Sequence, residues 1–288
     1  MTLRLLAALF VAGLALAAAG CGDDKSGATG SAAQTSGTPT SGTPTGGMAT
    51  TADTGTTPAA ADTVGYHVWF TKNGNLAPMW IEGEKTLGVL TEAMTLLLAG
   101  PPSGSGLDTT IPAGTEVRDL GFSNGTATLD LSSQFAEGTV DRARVGQIVY
   151  TLTQFPTVKK VRLTVEGKPV SGAPPNPQAR GDAYEEILPA IVVVTPTGLD
   201  PVTSPLTVTG TADVFEANVT IRVLDEDGKE LASTFTTATC GTGCRGTFAK
   251  RVSFDAEPGD KITLVLADDD ADGDGKPSHE VKIPLVVG

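Results

Sequence analysis

The sequence predicts an exported protein with two folded domains, an α+β domain followed by an all-β immunoglobulin-like sandwich. Strand and helix patterns are mixed over residues 64–172, whereas short strand patterns alone fill residues 189–288. A Pro-rich linker, residues 173–188, separates the two patterns. Charged residues make up only 18% of the chain, and its 35 glycines and 19 prolines fit a β-rich protein with many turns.

Residues 1–20 have the pattern of a bacterial signal peptide. Arg4 is followed by an apolar run that is shorter than the roughly 20 residues needed to span a bilayer. The run ends in Ala18-Ala19-Gly20-Cys21, which resembles a bacterial lipobox. The resemblance implies cleavage before Cys21 and attachment of acyl chains, such as palmitate, to that residue. The alternative is an ordinary secretory signal with an incidental cysteine.

The segment that follows predicts a disordered stalk. Residues 21–63 consist almost entirely of Gly, Ser, Thr, Ala, Pro and Asp, so they cannot bury enough apolar surface to fold. A flexible chain of this length spans roughly 35 Å r.m.s.. We expect it to act as a tether or as a plain spacer.

The three cysteines agree with export. If Cys21 is acylated, Cys240 and Cys244 remain, and an even remainder outside the cytoplasm predicts a disulfide. A zinc site would need further Cys or His ligands near these two residues, and the sequence offers none there.

Residues 64–172 predict two helices on one face of a mixed sheet. Asn124-Gly125 indicates a type I′ hairpin turn, and Pro78 marks its strand as an edge strand. Alternating apolar residues predict five strands: Val64–Thr71, Leu76–Ile81, Val117–Phe122, Thr126–Leu131 and Val161–Val165. Apolar residues at helical spacing predict two helices, Leu87–Ala99 and Val140–Phe155.

Several blocks of this first domain resemble the GerMN domain, a family named from sporulation and spore-germination proteins. The blocks lie in the family's order over about 105 residues: Leu97–Pro101, Ile111–Thr115, Ala127–Ser132 and Gln147–Pro156. The resemblance implies an envelope protein, often a lipoprotein, and it carries over no catalytic residues. Family members also occur in bacteria that make no endospores, so the name does not imply germination.

The second domain predicts a seven-stranded sandwich of immunoglobulin type. Its strand patterns are Ile191–Thr195, Leu206–Ala212, Val219–Leu224, Leu231–Thr237, Phe248–Phe254, Ile262–Ala267 and Val281–Val286. The segments Ser204–Ala212 and Phe215–Val219 resemble the immunoglobulin-like domain of bacterial spore germination, which often follows a GerMN domain.

The catalytic patterns in the sequence are weak, and we predict that the protein is not an enzyme. Gly121, Ser123 and Gly125 match the G-x-S-x-G nucleophile elbow, but that motif needs a helix after the turn and here a strand pattern follows. A serine hydrolase would also need a histidine beside the serine, and the chain has only His67 and His279. We expect a packing or surface role for His67.

An acidic segment between the last two strands matches part of an EF-hand loop, with Asp268, Asp270, Asp272 and Asp274 at positions 1, 3, 5 and 7. His279 stands where the loop needs Glu, and strands replace the flanking helices, so an EF-hand is excluded. A Ca²⁺ site at a hairpin tip and a solvated acidic turn remain as alternatives.

Charge is distributed unevenly. Residues 64–180 contain ten acidic and ten basic side chains, whereas residues 187–288 contain sixteen acidic and eight basic ones. The second domain should therefore avoid nucleic acid and anionic lipid. Five residues of the first domain are candidates for a small basic face or for a plain solvated surface: Arg142, Arg144, Lys159, Lys160 and Arg162.

These patterns predict a membrane-anchored lipoprotein that works by binding. Its expected partner is an envelope protein or a cell-wall polymer, and its expected role is that of an interaction or scaffold module. The alternative function is Ca²⁺-assisted binding of glycan or peptidoglycan through the acidic segment. A hydrolase ranks behind both.

Overall fold

The structure, a computed structural model, describes residues 62–171, 173, 176–198, 200, 202–268, 277 and 279–288. The predicted signal peptide, Cys21 and the stalk as far as residue 61 lie outside the described residues. Within the described ranges, no helix is both long enough and apolar enough to cross a bilayer.

The first domain is an α+β fold, as predicted. Its described strands form a β1–β2 hairpin and a mixed sheet in the order β3-β4-β5-β6, in which β4 and β5 run parallel. The elements are β1 (Thr63–Lys72), β2 (Asn75–Glu84), α1 (Val89–Leu98), β3 (Val117–Ser123), β4 (Thr126–Leu131), α2 (Arg142–Leu152), β5 (Lys160–Val165) and β6 (Lys168–Pro169).

The predicted turn and edge strand are both present. Asn124 and Gly125 have φ values of 50° and 76° between β3 and β4, which is the left-handed backbone of a type I′ turn. Pro78 lies opposite Trp69 in the hairpin, and among the described strands β2 pairs with β1 alone. The proline therefore removes no ladder hydrogen bond.

Helix α2 is buried around its whole circumference, whereas its sequence predicts one apolar face. Every residue from Ala143 to Leu152 is buried, because β1 and nearby loops bind the polar residues in and just after the helix. The Thr151 hydroxyl accepts from the Trp69 N–H at 2.9 Å. The Gln154 amide accepts from the His67 N–H at 2.9 Å and donates to its carbonyl at 3.1 Å, as a neighbouring strand would.

The second domain is the predicted all-β sandwich. Its described strands form two antiparallel sheets in the orders β10-β9-β12-β13 and β11-β8-β7, which enclose one apolar core. The seven strands are β7 (Ile191–Thr195), β8 (Leu206–Ala212), β9 (Asn218–Asp225), β10 (Glu230–Thr237), β11 (Gly246–Val252), β12 (Lys261–Asp268) and β13 (Glu280–Val286).

Much of the predicted linker is ordered against the first domain. Gln178 pairs with Val161 of β5 through two backbone hydrogen bonds of 2.7 Å. The Asn176 side chain accepts from the Leu163 N–H at 3.1 Å and donates to its carbonyl at 2.8 Å. The linker thereby supplies hydrogen-bond partners to backbone groups at an edge of β5. We name residues 176–188 the connector.

Candidate functional site

The G-x-S-x-G pattern forms a hairpin and no nucleophile elbow. Gly121 and Ser123 lie in β3, and strand β4 begins directly after the two-residue turn. An elbow needs a helix at this point to direct the serine hydroxyl toward an oxyanion hole. The arrangement therefore positions Ser123 on an exposed hairpin tip.

His67 has a packing role at the meeting of the two domains. Its ring lies edge-on to Trp80, with centroids 6.1 Å apart, and its Nε2 is 3.4 Å from the Thr195 hydroxyl of β7. Burial, and secondarily the charge of Arg180, lower the pKa of His67. The imidazole is therefore neutral at neutral pH and suited to this contact.

The connector contains a short 3₁₀ helix, Asp182–Ile187, that is built into the first domain's core. Tyr184 of this helix is fully buried and its ring meets that of Tyr150 in α2, with centroids 5.7 Å apart. A Cβ on Gly146 would lie 3.1 Å from the Tyr184 ring, so the glycine permits this close approach. The connector helix therefore belongs to the first domain's packing.

Two neighbouring glutamates join the connector helix to both domains. Glu186 pairs with Arg142 of α2 at 2.7 Å. Glu185 accepts from Arg245, which precedes β11, at 2.7 Å, and Arg245 also donates to the Pro189 carbonyl at 2.9 Å. The Arg245 side chain is only 12% exposed, so its ion pair is largely withdrawn from water. The two domains are therefore fastened through one short element.

A cleft of about 570 Å³ lies between the domains, walled by β2, β7 and β13. Each of its walls or margins carries a proline: Pro78, Pro189 and Pro284. Proline donates no backbone hydrogen bond, so these walls are poor templates for an added strand.

The candidate basic face does not form as a set of surface charges. Arg144 is buried, and its guanidinium donates to the carbonyls of Thr110, Phe135 and Glu137 at 2.8 Å each. Arg144 therefore binds the loops around α2, while Arg142 pairs with Glu186 of the connector. Lys159, Lys160 and Arg162 remain exposed.

Cys240 and Cys244 form the predicted disulfide, with their Cα atoms 5.7 Å apart. The closed loop packs on the turn before β9. The Gly243 N–H donates to Asp213 at 2.8 Å, and the Thr242 N–H donates to the Val214 carbonyl at 3.0 Å. The disulfide therefore fixes one loop against the body of the second domain.

The acidic segment begins at Asp268, whose side chain is buried at the base of the β12–β13 hairpin. One carboxylate oxygen accepts from the His279 N–H at 2.9 Å, and the other lies 2.8 Å from the His279 ring nitrogen Nδ1. Asp268 therefore closes the hairpin. The other candidate ligands, Asp270, Asp272 and Asp274, lie outside the described residues, and the Ca²⁺ site stays a prediction.

Asp200 is a buried carboxylate that the sequence did not single out. It is 8% exposed, and one oxygen accepts from the Thr197 N–H at 2.6 Å. Within the described part of the chain the other oxygen has no hydrogen-bond partner. Burial raises the pKa of Asp200 to about 6, although the Thr197 N–H partly opposes the shift. The Thr197 hydroxyl accepts from the Trp80 N–H at 2.6 Å, which places Asp200 beside the domain contact.

Two surfaces of the described residues expose large apolar side chains. On the first domain, Leu87 and Phe122 flank an apolar groove of about 410 Å³, and we name this surface the proximal patch. On the second domain, Phe235 projects from β10, which pairs with β9 alone among the described strands. Lys250 lies over the Phe235 ring, with its Nζ 6.0 Å from the centroid.

Two family models match the chain in the order seen in the structure. The model for sporulation and spore germination (Germane) matches residues 42–171, and the model for the immunoglobulin-like domain of bacterial spore germination (Gmad2) matches residues 190–274. Neither is a known enzyme family. These matches confirm both family resemblances of the sequence.

Two solved structures are also similar. The first GerMN domain of the sporulation protein GerM from Bacillus subtilis is 26% identical, with 42% of this chain and 100% of that chain covered and a TM-score of 0.35. The tandem GerMN domains of the same protein are 19% identical, with 66% and 61% covered and a TM-score of 0.36. The curated proteins contain no match to the chain.

Proposed function

Because the chain carries a GerMN domain followed by the immunoglobulin-like domain of bacterial spore germination, we propose that it is an envelope lipoprotein that acts as an interaction scaffold. Acyl chains on Cys21 would hold it on the outer face of the cell membrane. The lipobox-like sequence and the Cys240–Cys244 disulfide support this location, since structural disulfides persist outside the cytoplasm.

The observation that carries the scaffold role is the fastening of the two domains by the connector. Tyr184 is buried in the first domain, while Glu185, next to it, is held by Arg245 of the second. A scaffold gains from this arrangement, because two recognition surfaces held in one orientation cost less entropy to engage than two on a loose linker.

The surface that best fits a protein partner is the outer edge of β10. Strand β10, Glu230–Thr237, pairs with β9 alone among the described strands, so its backbone groups that face away from β9 have no strand partner there, and Phe235 beside them is exposed. An extended segment of an envelope protein can add to such an edge and cover the aromatic ring.

A pull-down from detergent-solubilised envelope tests the proposal. The mature acylated chain should recover specific envelope proteins, and Phe235→Asp should lose them. Phe215→Asp is the matched control, because Phe215 is also a half-exposed phenylalanine of the second domain and belongs to the turn before β9 and not to β10 itself.

Recovery of no protein, together with retention on purified peptidoglycan, would contradict the scaffold role and favour the wall-polymer alternative. Calorimetry with Ca²⁺ examines the cation in that alternative. Absence of both binding heat and a rise in melting temperature at millimolar Ca²⁺ would remove it.

A further inference from the structure

The proximal patch is an apolar surface made by three separate segments of the first domain. The residues before and within the first turn of α1, the end of β3 and the loop after α2 contribute its lining: Leu87, Val89, Leu90, Leu120, Phe122 and Phe155. Leu87 is completely exposed and Phe122 is 49% exposed. Large apolar side chains gathered on a surface in this way commonly mark a binding site.

The patch lies where the stalk joins the folded domain. Asp62, the first described residue, accepts a backbone hydrogen bond from Lys85 at 3.0 Å, and their side chains pair at 2.8 Å. Leu87 follows Lys85 by two residues, a distance of at most about 7 Å along the chain. Val64, next to this junction, is also exposed. The described chain therefore begins beside the patch, and the proposed anchor at Cys21 precedes this point in the sequence.

Two other occupants fit less well. Residues 22–61 contain a single large apolar side chain, Met48, so the stalk cannot fill an apolar groove. A second copy of the chain would need an interface of about 1,200 Å² or more in total for stable pairing. Two exposed side chains around a small groove offer far less.

Charge favours a lipid surface on this side of the molecule. Lys159 and Lys160 are exposed, and both of their N–H groups donate to the Gly125 carbonyl in the turn that follows Phe122. Lysine side chains are long, so lysines near an inserted aromatic residue can reach lipid phosphates. The first domain has balanced charge and the second is strongly acidic, so an anionic bilayer would orient the second domain outward.

We propose that the proximal patch is a membrane-contact surface, in which Leu87 and Phe122 insert into the lipid interface beside the stalk. Its physiological setting rests on the proposed lipid anchor. The contact is weak by itself, and the anchor makes it effective because a tethered domain meets the bilayer at a high local concentration.

Vesicle sedimentation tests the contact without the acyl chains. The mature full chain with Cys21→Ser is mixed with millimolar lipid as vesicles of phosphatidylcholine, with or without phosphatidylglycerol. We expect the chain to sediment with the vesicles and the Leu87→Asp/Phe122→Ser pair to weaken partitioning by about ten-fold or more. The Phe215→Ser/Phe235→Ser pair on the second domain should partition like the parent chain.

A second readout reports the surroundings of position 87 directly and does not depend on a loss of binding. With Cys21 replaced and the Cys240–Cys244 disulfide intact, Leu87→Cys gives a single thiol for an environment-sensitive fluorophore. Its emission should shift to the blue on vesicles, whereas the same label at Phe235→Cys should not shift.

Failure of the chain to bind vesicles, or equal binding by both variant pairs, would overturn the proposal. So would a concentration-dependent dimer that Leu87→Asp/Phe122→Ser abolishes while no lipid is bound. These outcomes are separate from failure of the proposed function, because no step uses the acyl anchor or an envelope partner.

Discussion

At the scale of single residues, Asp200 couples the stability of the second domain to pH. Its pKa is about 6 in the folded chain and 3.8 in the reference state, so the folded chain binds the proton more tightly. The stability that protonated Asp200 contributes is therefore fully present below about pH 4, is lost as the pH rises through about 6, and stays absent above that. Ionised Asp200 destabilises the fold because burial removes the water that would solvate it.

We expect Asp200→Asn to stabilise the protein at pH 7 by about 1–3 kcal/mol, because it removes a buried charge. Below pH 4 the variant and the parent should be equally stable. Calorimetric melting over this pH range measures the difference, and Asp255→Asn, at an exposed carboxylate of the same domain, is the control. A gain in melting temperature that does not change with pH would show that charge is not the cause.

Sequence patterns located some important residues and missed others for identifiable reasons. The Asn124-Gly125 turn and the two distal cysteines follow local rules of backbone conformation and of compartment, so the sequence suffices for them. The burial of Asp200, and of Arg144, which the sequence offered only for a basic face or a solvated surface, becomes visible only in the fold, because residues distant in sequence cover both side chains. No local pattern marks Asp200, which stands in a stretch rich in Thr, Pro and Gly.

At the scale of elements, the connector is where the sequence prediction and the structure differ most. The three prolines and one glycine of residues 173–188 are typical of a flexible linker, yet Asn176 and Gln178 complete the edge of β5. No local pattern predicts this pairing, because it depends on the open edge of β5, more than ten residues earlier in the chain. The strands of the second domain were predictable because alternation is itself local.

Arg245 and Arg142 bind neighbouring glutamates of the connector helix and make a matched pair of tests. Arg245→Ala should destabilise by about 2 kcal/mol or more, because it leaves Glu185 and the Pro189 carbonyl without a largely buried partner. Arg142→Ala should cost less than about 1 kcal/mol, since its ion pair is mostly in solvent. Denaturant unfolding measures both values, and equal losses would mean that Arg245 does not fasten the domains.

The disulfide loop gives a prediction for the second domain alone. Replacing Cys240 and Cys244 together by serine should lower stability by about 2 kcal/mol, since the crosslink restricts the unfolded chain. Thermal melting with and without reductant measures the loss. The parent chain should approach the double variant when reduced, and a parent that reductant leaves unchanged would contradict a stabilising bond.

At the scale of the whole molecule, residues 57–288 form one compact unit that contains both domains. The sequence predicted the two domains and their order, and the family matches agree with both. It could not predict that the connector fastens them, because that depends on Tyr184 and Arg245 reaching partners distant in the chain.

Acyl labelling in growing bacteria tests whether Cys21 carries the proposed membrane anchor. Cells that express the full chain are fed a clickable palmitate analogue, and the protein is followed in the membrane and in the medium. We expect the parent chain to take up label, and the Cys21→Ser chain to take up none and to be released to the medium. A parent chain that never takes up label, or a Cys21→Ser chain that still does, would contradict it.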